Sequence, residues 1–190
     1  MLTIGILALQ GAFVEHQAMF EKLGVKTFQI RQRKDLDKPM DGIVLPGGES
    51  TAMGKLLRDL EMLAPLKKKI HDGLPTMGTC AGMILMATSI HDDPTIHLGE
   101  MNITVARNAY GRQLSSFYTK NLFSGQEIPM TFIRAPYIVS VDEGVDILST
   151  VDGRWVAARE KKMLATAFHP ELTADTTVHE YFLEMISSSS

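Results

Sequence analysis

The chain is predicted to be an α/β protein: a three-layer, open, mostly parallel sheet with helices on both faces and antiparallel additions in its second half. Three observations predict this. As far as Ile90, short apolar runs alternate with amphipathic segments, the pattern of parallel strands joined by helical crossovers. Beyond residue 100, strand-like runs follow one another through tight connections such as Asp152-Gly153. The 190 residues suit one domain spanning 1–190, with enough chain for a sizeable core.

Residues 2–9, LTIGILAL, form a short apolar run with a β-branched component and read as a buried strand stopped by QG. Residues 12–24, AFVEHQAMFEKLG, read as a helix with Gly24 as its C-cap. VKTFQI at 25–30 and DGIVLPGG at 41–48 are the second and third strands. From Ser50 a helix is expected, because Met53, Leu56, Leu57 and Leu60 fall at i, i+3, i+4 and i+7. Ser50 or Thr51 supplies its N-cap, and Pro65 breaks or restarts it. LPTMGT at 74–79 is a short fourth strand, and AGMILMATSI at 81–90 the helix after it. The later runs 101–108, 132–141, 145–151, 154–160 and 163–169 read mostly as strands. A last helix starts near Asp175, and the closing SSSS reads as a frayed tail or an added remnant.

Composition excludes several classes. Hydrophobic residues make up 45% and charged residues 22%, ordinary for a globular chain. The net charge of -3 offers no basic field to nucleic acid, and Lys67, Lys68 and Lys69 read as a solvated helix face. No apolar run is long enough to span a bilayer, and the apolar opening lacks the basic region and cleavage site of a signal peptide. One cysteine cannot make an internal disulfide. A cytoplasmic protein is expected.

That cysteine lies in GTCAG, with Gly78 and Gly82 flanking Cys80 between a strand and a helix. This is the layout of a nucleophile elbow carrying cysteine in place of serine. A strained turn leaves no room for flanking side chains. It presents the sulfur at the carboxyl end of the sheet, where ligands bind in open α/β folds. A helix N-terminus favours thiolate, and the Ala81 amide can donate to a developing oxyanion. The competing reading is a buried small hydrophobe, common for free cysteine.

A base decides between the two. His16, His71, His91, His97 and His179 read as surface or capping residues, and His91 with His97 lacks further ligands at metal spacing. His169 ends an apolar strand in ATAFHPEL. In extended geometry it shares a side with Glu171, about 6 to 7 Å away at the backbone. A carboxylate there holds the imidazole in one tautomer while its other nitrogen faces a thiol. A strand end with an exposed His and Glu is the alternative. With the elbow on the same chain, Cys80-His169-Glu171 is the leading set.

These residues resemble the class I, or triad, glutamine amidotransferases, whose fold is flavodoxin-like, and within them the PdxT/SNO family of glutaminase subunits. The segments that carry the resemblance are IGILALQGAFVEH at the start, LPGGEST at 45–51, GTCAGMI at 78–84, RNAYGRQ at 107–113, FIRAP at 132–136 and FHPEL at 168–172. They keep the family's order across nearly the whole chain. Met77 departs from it, standing where an aromatic residue is more usual.

The resemblance implies glutamine hydrolysis with Cys80 as nucleophile, His169 as base and Glu171 as its orienter. It assigns Gly48, Glu49 and Ser50 to a glutamine-binding loop, adds Arg107, Ile133 and Arg134 as further contacts, and makes Gly47 or Gly48 share the oxyanion hole with Ala81. Glutamine itself calls for a carboxylate against its ammonium, which Glu49 suits, and an arginine against its carboxylate. No metal or organic cofactor is implied. The implied partner is a (β/α)8-barrel subunit that builds pyridoxal 5′-phosphate in a large hetero-oligomer. It receives the ammonia and, on docking, orders the oxyanion hole. The partner-facing surface is expected to include LQGAFVEH. The rivals are an amidotransferase serving another synthase, a catalytically silent module that keeps the fold, and a cysteine peptidase or redox-sensing relative.

Overall fold

A computed structural model describes residues 1–107 and 116–188; most of the RNAYGRQ segment and the last two serines lie outside the described residues. The first half alternates as expected: β1 (Thr3–Leu7), α1 (Phe13–Lys22), β2 (Lys26–Ile30), β3 (Gly42–Leu45), α2 (Ser50–Asp59), α3 (Leu63–His71), β4 (Thr76–Thr79) and α4 (Ala81–Met86). A short 3-10 turn at Arg33–Asp37, unforeseen from the sequence, joins β2 to β3. The second half adds β5 (Ala87–Ile90), β6 (Met101–Ala106), β7 (Ser116–Phe123), β8 (Gln126–Ile133), β9 (Tyr137–Val141), β10 (Asp146–Val151), β11 (Arg154–Glu160), β12 (Met163–Thr166) and α5 (Thr177–Ser187).

The main sheet runs β2-β1-β3-β4-β12-β11-β9-β6-β5, with β10 on β11, while β7 and β8 pair as a separate hairpin. The strands from β2 through β12 are parallel neighbours, as in Val44 beside Met77 and Gly78 beside Ala165. β11 pairs antiparallel with β12, β9 and β10. The crossover from β1 moves one way along the sheet and the crossover from β3 moves the other. Right-handed connections therefore put their helices on opposite faces. The aromatic contact of Phe20 with Phe182 joins α1 to α5, 6.4 Å between ring centres. Met77 is fully buried in the core, where its flexible thioether adapts to its neighbours.

Three local expectations need correction, and one hairpin is new. The helix over 81–90 stops at Met86, and 87–90 is the strand β5. Thr88 and Ile90 are β-branched, and the parallel ladder to β6 outweighs the helical spacing. The N-cap of α2 is Glu49, whose Oε2 accepts from Ala52 N–H at 2.5 Å, and not Ser50 or Thr51. The run 132–141 is two strands, because Arg134 takes φ 44° and Pro136 cannot continue a ladder. The hairpin β7–β8 went unread. Its turn, Ser124-Gly125 at φ 49° and 85°, is of the kind that closes two-residue hairpins. Pro65 does restart a helix, sitting in the first turn of α3.

Candidate active site

Cys80 follows β4 directly and takes φ 52°, ψ -106°. A non-glycine residue in such a region costs about 1–3 kcal/mol and persists where its surroundings over-determine it. Here the Cys80 N–H donates to Thr166 O of β12 at 2.7 Å. The flanking glycines have a steric reason. A Cβ on Gly82 would lie 2.0 Å from Leu45 O, and one on Gly78 would lie 2.8 Å from the Gly82 carbonyl. The neighbouring strand β3 crowds Gly82, and the helix α4 crowds Gly78. Cys80 is 6% exposed, and its sulfur sits 3.8 Å from Ile133 O.

His169 comes from the end of β12, next to β4 in the sheet, so adjacent parallel strands deliver both groups to one rim. The expected extended geometry after it is wrong. Pro170–Leu172 is a 3-10 turn with His169 as N-cap. The turn folds Glu171 back, and Nδ1 of His169 meets Glu171 Oε2 at 2.7 Å. Burial acts to lower the His169 pKa and is the largest single effect. Hydrogen bonds to Cys80 and Glu171, with their negative charge, outweigh it and raise the pKa from 6.5 to about 10. The unread hairpin fixes this corner. His169 N–H donates to Thr131 O at 2.8 Å, and Phe168 packs edge-on against Phe123 and Phe132.

A cavity of about 510 Å³ opens above the sulfur. Its walls include Cys80, His169, Ala81, Gly47, Gly48, Glu49, Ser50, Arg107, Ile133 and Arg134, so every candidate residue except Glu171 reaches it. Glu171 lies behind His169, its side chain fully buried. Arg107 is held by Asp93 Oδ2 at 3.1 Å and Thr51 Oγ1 at 3.0 Å, with Glu49 Oε1 at 3.9 Å. The cavity thus carries a guanidinium and a carboxylate side by side, chemistry suited to a zwitterionic amino acid.

The sequence reading left out Gln10, Gly11 and Ala12 as cavity wall, along with Ile84 and Leu172. The turn after β1 clamps the loop after β3. Ala12 N–H donates to Gly47 O at 2.9 Å, and Glu49 N–H donates to Gln10 Oε1 at 2.8 Å. Gly11, at φ 91°, approaches so closely that a Cβ would lie 1.8 Å from Gly47 O. A glycine immediately after a strand was the available signal. The histidine reading also fails at three places: His16 and His179 are fully buried, and His97 is buried as well. His16 Nδ1 meets His179 Nε2 at 2.9 Å, and His16 Nε2 lies 3.1 Å from Thr79 Oγ1 and 3.5 Å from Glu171 Oε1. Among the described residues no group of three or more His, Cys, Asp or Glu is arranged to hold a metal ion, and no helix is long and apolar enough to cross a membrane.

Comparison with known proteins matches residues 6–188 to the SNO glutamine amidotransferase family. The pyridoxal 5′-phosphate synthase subunit PdxT of Streptococcus pneumoniae (strain CGSP14) is 55% identical over 188 residues, covering 97% of each chain. The same subunit from strain ATCC 700669 / Spain 23F-1 is 53% identical over the full length of both. A crystal structure of a glutamine amidotransferase superposes with a TM-score of 0.92 at 39% identity, covering 97% of this chain and 98% of that one.

Proposed function

The chain belongs to the SNO glutamine amidotransferase family, and from that premise we propose that it hydrolyses L-glutamine to L-glutamate and ammonia through Cys80, His169 and Glu171. The observation that carries this reading is the single rim on which a strained cysteine turn and a buried, carboxylate-held histidine meet above one cavity. His169 is kept as imidazolium by its neighbours, and the form of Cys80 that attacks is the thiolate, the nucleophilic form of any cysteine. The thiolate attacks the side-chain amide carbon of glutamine. The oxyanion that forms takes hydrogen bonds from backbone amides of Ala81 and the Gly47–Gly48 loop. As the carbon–nitrogen bond breaks, His169 gives its proton to the departing nitrogen. Ammonia leaves, and a γ-glutamyl thioester remains on Cys80. His169, now neutral, takes a proton from water. The hydroxide adds to the thioester, and collapse expels the thiolate and glutamate. Glu171 keeps the proton of Nδ1 in place throughout, so that Nε2 faces the sulfur.

Substrate selection rests on Glu49 against the ammonium and on Arg107 or Arg134 against the carboxylate, with Gly48, Ser50 and Ile133 completing the wall. The ammonia is consumed by a separate (β/α)8-barrel subunit of pyridoxal 5′-phosphate synthase, with which the chain forms a large hetero-oligomer in the cytoplasm. The 55% identity to PdxT supports that partner. So does the apolar surface beside the cavity: Val14 of the LQGAFVEH segment is 56% exposed, Leu172 41% and Ile133 39%.

The test is glutamate release from L-glutamine with and without the barrel subunit, beside a Cys80→Ala control. Stimulation by the subunit that vanishes in the control is expected. Full activity in Cys80→Ala would overturn the mechanism, and indifference to the subunit would overturn the partner.

A further inference from the structure

The chemistry proposed above leaves unused a buried polar group next to the site, the histidine pair behind Glu171. His16, from α1, and His179, from α5, are both at 0% exposure. Two buried atoms around them have no hydrogen-bond partner among the described residues, Glu171 Oε1 and His179 Nδ1. These orphans assign the protons. His16 Nδ1 and His179 Nε2, 2.9 Å apart, share one hydrogen bond, so one of them donates. If His179 Nε2 donates, its Nδ1 is a bare lone pair and His16 carries its own proton on Nε2. That proton then points at Thr79 Oγ1, 3.1 Å away, and Glu171 Oε1, 3.5 Å away. In the reverse arrangement His179 buries an N–H with no acceptor, and the His16 lone pair, which the Thr79 hydroxyl can reach as a donor, also faces a carboxylate oxygen. Orphaned buried N–H groups are the rarer defect, and the facing lone pairs repel.

We infer that His16, as its Nε2–H tautomer, is a positioning residue for the triad: it donates to the free oxygen of Glu171 while the other oxygen holds His169 Nδ1. This rests on the Cys80-His169-Glu171 reading. An approach of about half an ångström brings the 3.5 Å separation to ordinary hydrogen-bond length. The donor is neutral, because burial first, then His179 and His169, hold the His16 pKa well below its usual value. A neutral donor stabilises the carboxylate without setting a second cation beside the His169 imidazolium. His16 does not line the cavity, so its effect passes through Glu171 rather than through substrate contact.

Two experiments test it. Nitrogen-15 NMR of the histidine rings in the wild-type chain reads the tautomer directly and needs neither activity nor a variant. The expected signal is His16 protonated at Nε2 only; protonation at Nδ1 overturns the inference. Glutamate release is then measured with the barrel subunit present. His16→Leu is expected to lose about 10- to 100-fold in kcat, the range for a hydrogen bond to a charged group, with KM changed less than about twofold. His16→Gln, whose amide N–H reaches toward the position of Nε2, should recover most of that loss. Equal losses in both variants, a wild-type kcat in His16→Leu, or a rise in KM alone would overturn the assignment. A silent wild type, or an active Cys80→Ala, would instead remove the triad reading itself.

Discussion

Gly47 packs against the His169 ring so closely that a single added methyl group displaces it. An alanine Cβ there would lie 2.1 Å from His169 Cε1, 2.8 Å from Nδ1 and 3.2 Å from Nε2. Ordinary contact begins near 3.4 Å, so the ring must retreat by about 1.3 Å, the shortfall from 3.4 to 2.1 Å. The ring is not free to do so. Nδ1 is bonded to Glu171 Oε2 at 2.7 Å, and the His169 N–H is tied to Thr131 O. Gly47 is not among the positive-φ glycines, so the cost comes from contact and not from its backbone. Overpacking of this kind costs about 2 kcal/mol, or about 4–8 °C in Tm for a chain of this size. A displacement of about 1 Å between reacting groups costs about 100-fold in rate. Gly47→Ala should therefore lower kcat for glutamate release about 100-fold and Tm by several degrees. A kcat within about threefold of wild type, with Tm unchanged, would refute this account of how the β3 loop holds the imidazole.

Gly82→Ala should be worse for the fold, since its Cβ would lie 2.0 Å from the backbone oxygen of Leu45; destabilisation of about 3 kcal/mol or more by urea unfolding is expected, and near-wild-type stability would contradict the packing. His169 should stay protonated through pH 8 in a proton or nitrogen NMR titration, and a midpoint near 6.5 would sink the ion-pair reading. The sign for stability follows from that elevation. The folded-state pKa lies above the unfolded one, so this group's contribution is complete below about 6.5 and is lost as pH rises toward 10. The stability gap between wild type and His169→Asn should accordingly shrink across that window in urea titrations. Asp93→Asn leaves Arg107 without its 3.1 Å partner and should raise KM for glutamine about two- to fivefold, the range of a partly exposed ion pair, with kcat little changed. An unchanged KM would take Arg107 out of substrate binding.

Much of the candidate site was legible in the chain because it is written locally. GTCAG dictates its turn through two glycines, and each is explained by an atom within 3 Å of where its Cβ would stand. PGGES and ATAFHPEL likewise sit at strand ends, which apolar runs mark plainly. What lay hidden depends on residues distant in sequence. The helical spacing of 81–90 lost to a ladder with β6, whose strength is set by neighbours no window contains. In the hairpin β7–β8 the first strand alternates exposed and half-buried residues and the second buried and half-buried ones, with no continuous apolar run in either, yet β8 supplies the carbonyl that anchors His169.

His16 marks the boundary between the two kinds of information. On its helix it is one polar residue among several, and spacing alone makes it a surface histidine. Only the packing of α1 against α5 brings His179 and Glu171, each more than 150 positions away, to its ring. The order of strands and helices, the elbow and the residue types of the proposed triad follow from local periodicity and turn sterics, which the sequence by itself determines. Which carbonyl holds the imidazole, which way the carboxylate folds and which histidine stands behind it are long-range contacts. Tertiary structure alone decides them, because burial and hydrogen-bond satisfaction are properties of the assembled core and not of any one segment.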